Sequence, residues 1–363
     1  MTQILEYLKA TVSNGASDLH LKHNMKPIFR IHSQLIDSEF EVLSPDELQA
    51  IVDEILPPHV VKLYREHHET DFSFFRKGVG RFRVNVFQSE GIPNFAFRHV
   101  KQQIPTFEEL HLPAVMTKLA SAARGIVLVS GTTGSGKSTT LASIVQYINF
   151  TERMRIITIE DPIEYTFEDQ KSVISQREVG LDTETFNAAL KHILRQDPDV
   201  IVIGEMRDER SFKTALASAE TGHLVFSTLH TGTASAAIQR ILQFYPNEEW
   251  DQARLALASN LYSIICQRLL RGAKDGVYPA VEVLFNTPTV KKLLEKNQLE
   301  VISAAIETGG EDGMMTFNQS IYKLIKSGSV TEEEGMAYAT NPAALRMNLQ
   351  GIFLDEGKRI LGA

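Results

Sequence analysis

Four short runs, Ile126–Val129, Arg155–Ile159, Val200–Ile203 and Leu224–Ser227, are apolar at almost every position and rich in β-branched residues. Runs of that kind, each separated from the next by segments with a helical repeat such as Leu141–Val145, predict buried strands alternating with helices. The alternation implies a mostly parallel sheet with helices on both faces. Nearer the start of the chain the period changes to two. Leu19–Leu21, Ile28–Ile31, Phe72–Phe74, Arg81–Phe87 and Asn94–Arg98 alternate as strands do. An opening helix carrying Ile4, Leu5 and Leu8 ends near Asn14-Gly15. A second starts at Ser44-Pro45-Asp46-Glu47, with serine as N-cap and proline at the first helical position. Beyond Val283 the pattern is helical again, with Leu293, Leu294, Ile302, Ile306, Ile321, Leu324 and Ile325 at helical spacing.

These shifts divide the 363 residues into a small α/β domain at 1–100, a polar linker at 101–113, and a larger domain at 114–363. The larger domain ends in helices from about residue 284. Neither an internal repeat nor a low-complexity segment interrupts the pattern. With 43% hydrophobic and 23% charged residues the composition is that of a globular protein. A formal charge of −8 gives no global basic field, so nucleic acid is not an expected partner. Signal-peptide features and an apolar run of about 18 residues are both missing, which predicts a cytoplasmic chain. A single cysteine, Cys266, excludes an internal disulfide and a cysteine-cluster zinc site.

Chemistry enters at the end of the first apolar run. Gly131-Thr132-Thr133-Gly134-Ser135-Gly136-Lys137-Ser138, followed by Thr139, fits the phosphate-loop pattern, and it stands between a strand and a helix as that motif requires. The glycines let backbone N–H groups converge on phosphate oxygens. The helix that starts near Gly136 adds the positive end of its dipole. Lys137 brings a point charge to the β- and γ-phosphates, and the Ser138 hydroxyl is a ligand for Mg²⁺. The loop therefore predicts ATP with Mg²⁺ as cofactors.

The second and third runs end in carboxylates: Glu160, Asp161 and Glu164 after one, Glu205 after the other. The C-terminal ends of parallel strands are where ligands bind in such sheets. Hydrolysis needs one carboxylate to hold Mg²⁺ through water and one to orient or deprotonate the attacking water. Glu205 suits the Mg²⁺ shell and Glu164 the water, although the two roles can be exchanged. His223 and His230 bracket the fourth run without metal-ligand spacing. They read either as sensors of the γ-phosphate or a neighbouring subunit, or as satisfied structural histidines.

In order, Gly131–Ser138, "IEDPIE" at 159–164, "LRQDPDVIVIGEMRD" at 194–208 and "TGHLVFSTLHT" at 221–231 resemble the Walker A, Asp, Walker B and His boxes of the secretion ATPases of type II secretion and type IV pili. Within that family the chain is similar to the type IV pilus retraction ATPases (PilT/PilU-like). "GASDLHL" at 15–21 and "GRFRVNVF" at 80–87 resemble their short N-terminal domain. The resemblance implies a RecA-like P-loop domain, a PAS-like N-terminal domain and a helical C-terminal appendage. It also implies a homo-hexameric, Mg²⁺-dependent ATPase that powers pilus retraction from the cytoplasmic side of the inner membrane. Its implied partners are an inner-membrane platform protein and a paralogous retraction ATPase.

Extension and secretion ATPases of the family carry a long extra N-terminal region and usually a four-cysteine zinc insert. Neither is present, so retraction is expected, with an extension or secretion ATPase lacking the insert as the alternative. One departure is Thr289–Lys296, where the "AIRNLIRE" helix of PilT-type motors keeps its apolar positions at Val290, Leu293 and Leu294 but loses its Arg-Asn core. Both a main and an accessory motor remain open. By position in the family, Arg81, Arg83 and Arg98 face nucleotide at subunit contacts, and Arg268 and Arg271 meet the neighbouring subunit. Guanidinium suits both tasks, because it stays charged and grips phosphate bidentately.

Overall fold

The computed structural model describes residues 3–32, 34–100 and 103–352. Lys101 and Gln102 of the expected linker and residues 353–363 of the expected larger domain lie outside the described residues. Packing divides the chain into two units, each with its own sheet. The first unit is Met1–Gln103 together with Asp161–Thr166 and Glu178–Glu184; the second is Ile104–Glu160, Phe167–Arg177 and Thr185–Ala363. Two segments from the middle of the chain thus pack with its N-terminal part.

The first unit runs α1 (Gln3–Ser13), β1 (Asp18–Leu21), β2 (Ile28–Ile31), β3 (Gln34–Asp37), α2 (Pro45–Ile55), α3 (Pro58–His67), β4 (Glu69–Arg76), β5 (Gly80–Ser89) and β6 (Ile92–Val100). Its six strands lie in the order β3-β2-β1-β6-β5-β4, and every neighbouring pair is antiparallel. Antiparallel sheets bury one face, and the register shows which. Leu19, Phe97, Val84 and Phe72 stand side by side across four strands and are buried with Leu8, Leu48 and Val52. α2 starts as its sequence predicts. Ser44 accepts a bond from the Glu47 N–H, and the Glu47 carboxylate accepts one from the Ser44 N–H at 2.7 Å. β3 was not legible, because all four of its residues are exposed and no buried face imposes an alternation.

On the other face of this sheet, one residue along the register, Asp18, Arg98, Arg83 and Ser73 form a second row. Arg98 donates to Asp18 at 2.9 Å. Burial raises the Asp18 pKa, but the bonds from Ser17 and Arg98 together outweigh it and leave the carboxyl below its ordinary value. Arg81, two residues from Arg83, donates to Glu178 at 2.8 Å, with the two side chains only 14% and 5% exposed. The same carboxylate accepts the Ile163 N–H at 3.2 Å. One buried pair thereby ties β5 to both later segments.

The second unit contains α4 (Val115–Ala120), β7 (Gly125–Ser130), α5 (Lys137–Thr151), β8 (Arg155–Glu160), β9 (Val173–Glu178), α6 (Phe186–Ile193), β10 (Val200–Ile203), α7 (Glu209–Glu220), β11 (Leu224–Leu229), α8 (Ala234–Leu242), α9 (Trp250–Asn260), β12 (Leu261–Arg271) and β13 (Val277–Phe285). The strand order is β13-β12-β7-β11-β10-β8-β9. β12, β7, β11, β10 and β8 are parallel, and β13 returns antiparallel to β12. Parallel neighbours need crossovers, which is why helices separate these strands in sequence. β13 carries the chain through Phe285, so the C-terminal helices begin at Pro288: α10 (Pro288–Glu295), α11 (Ile302–Thr308), α12 (Phe317–Lys326), α13 (Glu332–Tyr338) and α14 (Pro342–Leu349). Among the described residues no helix is long and apolar enough to cross a membrane.

The Arg81–Glu178 pair makes a direct prediction. Arg81→Ala leaves a buried carboxylate without its cation and should cost about 3–5 kcal/mol of stability. Urea denaturation followed by fluorescence checks it, and a loss below about 1 kcal/mol, the level of an exposed pair, would contradict it.

Candidate active site

The parallel register brings four of the predicted boxes to one edge of the second unit. Leu224 to Leu229 of β11 pair with Gly125 to Ser130 of β7, and Val200 to Ile203 of β10 pair with both Ile156 to Ile159 of β8 and Leu224 to Ser227 of β11. All four strands therefore end on the same side of the sheet, with β7 and β11 running two residues beyond β10. The phosphate loop follows β7, Glu160 closes β8, Gly204-Glu205 follows β10, and His230-Thr231 follows β11.

In the loop, Gly131, Gly134 and Gly136 have φ of 153°, 79° and 86°. These are backbone conformations that favour glycine. Lys137, 7% exposed, opens α5 and turns its Nζ back onto the loop, donating to the Gly131 carbonyl at 2.9 Å and the Thr132 carbonyl at 3.0 Å. Ser135 is buried, and among the described residues its Oγ finds no hydrogen-bond partner. An orphaned hydroxyl, a folded-back ammonium and a helix N-terminus together fit an anion with several oxygens. Thr132, Thr133 and Gly134 are exposed at the rim, while Ser138 and Thr139 are half-buried at the start of α5.

Hydrogen bonds continue past the strand ends and hold the carboxylates. The Gly204 N–H donates to Ile159 O at 2.8 Å, the Thr228 hydroxyl to Gly204 O at 2.6 Å, and the Met206 N–H to Thr228 O at 3.1 Å. A Cβ on Gly204 would lie 3.1 Å from Ile159 O, so glycine there admits the close passage of β8. Glu160 accepts from Thr158 at 2.6 Å and from Gln176 at 3.0 Å. Glu205 pairs with Arg207 at 2.9 Å and stands 3.4 Å from His230 Nε2. Ser130 joins the loop to the fourth box through Thr231, with its Oγ 2.8 Å from Thr231 O.

Other predicted residues are placed elsewhere. Asp161 and Glu164 belong to the segment that packs with the first unit, where Asp161 and Arg83 line a cavity of about 150 Å³ with Asp71, Phe72, Glu178 and Leu181. Arg83 forms no ion pair among the described residues. His223 fits the structural one of its two readings. It precedes β11, its carbonyl accepts the Gly125 N–H, and its ring bonds Ser218 O at 2.9 Å and Thr221 Oγ1 at 3.0 Å. It therefore lies at the opposite end of the strands from the phosphate loop, with a structural partner on its ring.

Arg268 already has partners within its own chain. Its Nη1 donates to Tyr338 O at 2.5 Å and Thr340 Oγ1 at 3.2 Å, and the guanidinium lies 3.8 Å from the Phe317 ring centroid. It stacks on Phe317 of α12 and binds the last carbonyl of α13. Arg271 is exposed, and its N–H donates to Glu334 at 2.9 Å.

One functional neighbour had no signal in the sequence. Glu282 on β13 is buried and accepts the Ala234 N–H at 2.8 Å, holding the start of α8 just after the fourth box. Burial pushes its pKa up, against the opposing effects of that bond and of Arg268. Between the ordinary glutamate value and the raised one, the folded chain binds more protons than the unfolded chain, so stability falls as pH rises through that window. Glu282→Gln keeps an oxygen for Ala234 and removes the charge. It should therefore flatten this part of the stability–pH curve, read by thermal melts from pH 4 upward; an unchanged slope would contradict it.

Comparison with known proteins agrees with the geometry. The family described as type II/IV secretion system protein matches residues 97–326. A Pseudomonas aeruginosa protein named type IV pilus ATPase PilU is 38% identical over 344 residues, covering 94% of this chain and 90% of its own length. The type IV pilus retractation ATPase PilT of the same organism is 39% identical over 339 residues, covering 93% and 98%. A crystal structure of the pilus retraction motor PilT with bound ADP superposes with a TM-score of 0.87 at 42% identity, covering 94% and 98%. The Legionella pneumophila ATPase DotB, 24% identical with a TM-score of 0.74, shares the fold.

Proposed function

The chain belongs to the type II/IV secretion system protein family, and from that membership we propose that it is an ATP hydrolase powering type IV pilus retraction. One observation carries the reading. The phosphate loop, Glu160, Glu205 and His230 share one edge of a parallel sheet, in a chain that aligns over 94% of its length with a retraction motor that binds ADP.

At that edge the loop N–H groups and the α5 N-terminus bind the phosphates, and Lys137 exchanges its bonds to Gly131 and Thr132 for the β- and γ-phosphate oxygens. Among the described residues no three His, Cys, Asp or Glu side chains gather to hold a metal by themselves. Mg²⁺ is thus expected to arrive with the phosphates, held by the Ser138 hydroxyl and, through water, by Glu205; when bound it neutralises charge developing on the phosphoryl oxygens. Glu164 orients the attacking water and takes its proton, and the same two glutamates also fit the reverse division of roles. His230, beside Glu205, registers the γ-phosphate end of the site.

In the proposed assembly, a homo-hexamer, Arg81, Arg83, Arg98, Arg268 and Arg271 approach a neighbour's nucleotide or surface. For Arg81 and Arg98 this requires sharing or leaving the carboxylates they already bind. The ring works on the cytoplasmic side of the inner membrane against a platform protein, alone or with a paralogous ATPase. Relatives named for both motors match at 38% and 39% identity, so main and accessory roles are equally supported.

Lys137→Ala should abolish turnover. Glu205→Gln and Glu164→Gln should retain ATP and hydrolyse it at least about 100-fold more slowly, the usual contribution of a positioned base. Near-normal turnover in both glutamine variants would overturn the assignment of the carboxylates. In cells, a deletion strain should keep surface pili and lose retraction events under fluorescence microscopy; a strain without pili would overturn the retraction reading.

A further inference from the structure

Beneath the phosphate loop lies a buried amide that the reading above leaves unused. Gln267, on β12, is 4% exposed. β12 runs parallel to β7 with Cys266 beside Ser130, so Gln267 is the first β12 residue past the point where β7 ends and the loop departs. Its Oε1 accepts the Thr140 hydroxyl at 2.8 Å, and Thr140, 1% exposed, lies in the first turn of α5. A Cβ on Gly136 would stand 2.8 Å from Gln267 Nε2, and a Cβ on Gly131 would stand 2.6 Å from Gln267 O.

One residue therefore touches the loop's first glycine with its carbonyl, its last glycine with its amide, and the helix behind the loop through Thr140. Gly131 and Gly136 are the loop's two ends, both at positive φ. Whatever moves Gln267 moves both ends together.

We propose that Gln267 is a positioning residue for the nucleotide phosphates, holding both ends of the loop at the height where its N–H groups meet phosphate oxygens. The proposal rests on the ATPase reading of that loop. In a purely architectural role the Gln267–Thr140 bond would only seal β12 against α5. The two differ in what its loss does. Sealing affects folding alone, whereas positioning affects the bound phosphates in protein that remains folded.

The test uses the full chain, with Gln267→Met, which keeps volume and removes the acceptor, and Thr140→Val, which removes the donor. Affinity for a fluorescent ADP analogue, kcat and KM for ATP, and Tm are measured on each, on the double variant and on Thr140→Ser. Losing one partner of a buried hydrogen bond should weaken ADP binding about tenfold in each single variant and raise KM for ATP similarly. The double variant should be no worse than the weaker single, because both remove the same bond. Thr140→Ser, which restores the hydroxyl, should recover most of the affinity. A lower Tm with unchanged ADP affinity, KM and kcat would overturn the proposal. Lys137→Ala serves as the control: if it binds ADP as the wild type does, the ATPase reading falls and this proposal with it.

Discussion

Parallel pairing among β8, β10, β11 and β7 is the constraint on which the site depends. Each pair is in register up to the strand ends, so the residues that follow four separate strands emerge side by side. A one-residue slip in a parallel pair would turn every side chain of the slipped strand to the other face of the sheet. Strands buried at nearly every position resist such a slip, because it would bring different side-chain volumes against the helices on both faces. The strand ends thus hold Glu160, Glu205, His230 and the loop in place without any contact between those side chains being required.

The loop itself depends on close approach. Gly131 and Gly136 admit Gln267 where any side chain would collide, and Gly204 admits the Ile159 carbonyl. Around these contacts, polar groups are satisfied across long sequence distances: Thr140 by Gln267, Ala234 by Glu282, Thr231 by Ser130. In a low-dielectric interior such bonds matter chiefly because leaving one partner alone is costly. Ser135 differs: among the described residues its buried hydroxyl has no partner, and it sits where phosphate oxygens are expected.

How far the sequence reveals this follows from periodicity. The strands that carry the boxes are apolar throughout, and their boxes follow directly, so fold and phosphate loop were legible together. β12 and β13 were not read, because "LYSIICQRLLR" mixes polar and apolar positions and resembles neither template cleanly. Gln267 and Glu282 are single polar residues in such runs, with partners 127 and 48 positions away in the chain, and no local pattern announces them. The two readings of His223 are separated by geometry alone. Seven residues along a strand cover its whole length, so His223 and His230 stand at opposite ends. The position of Arg268 in the motif says nothing about Tyr338 and Phe317, which come to it only in the folded chain.

Arg81 and Glu178 meet across 97 positions of sequence, and the chain enters the first unit three times: at its start, after Glu160 and after Arg177. An N-terminal piece defined by the linker is therefore not a self-sufficient module. Recombination that exchanged residues 1–100 between two relatives would carry one half of a buried ion pair and leave the other behind, together with the backbone of Ile163 that the same carboxylate holds. Within this architecture the N-terminal unit and the short segments around Ile163 and Glu178 must be inherited together, so sequence drift in one is answerable to the other.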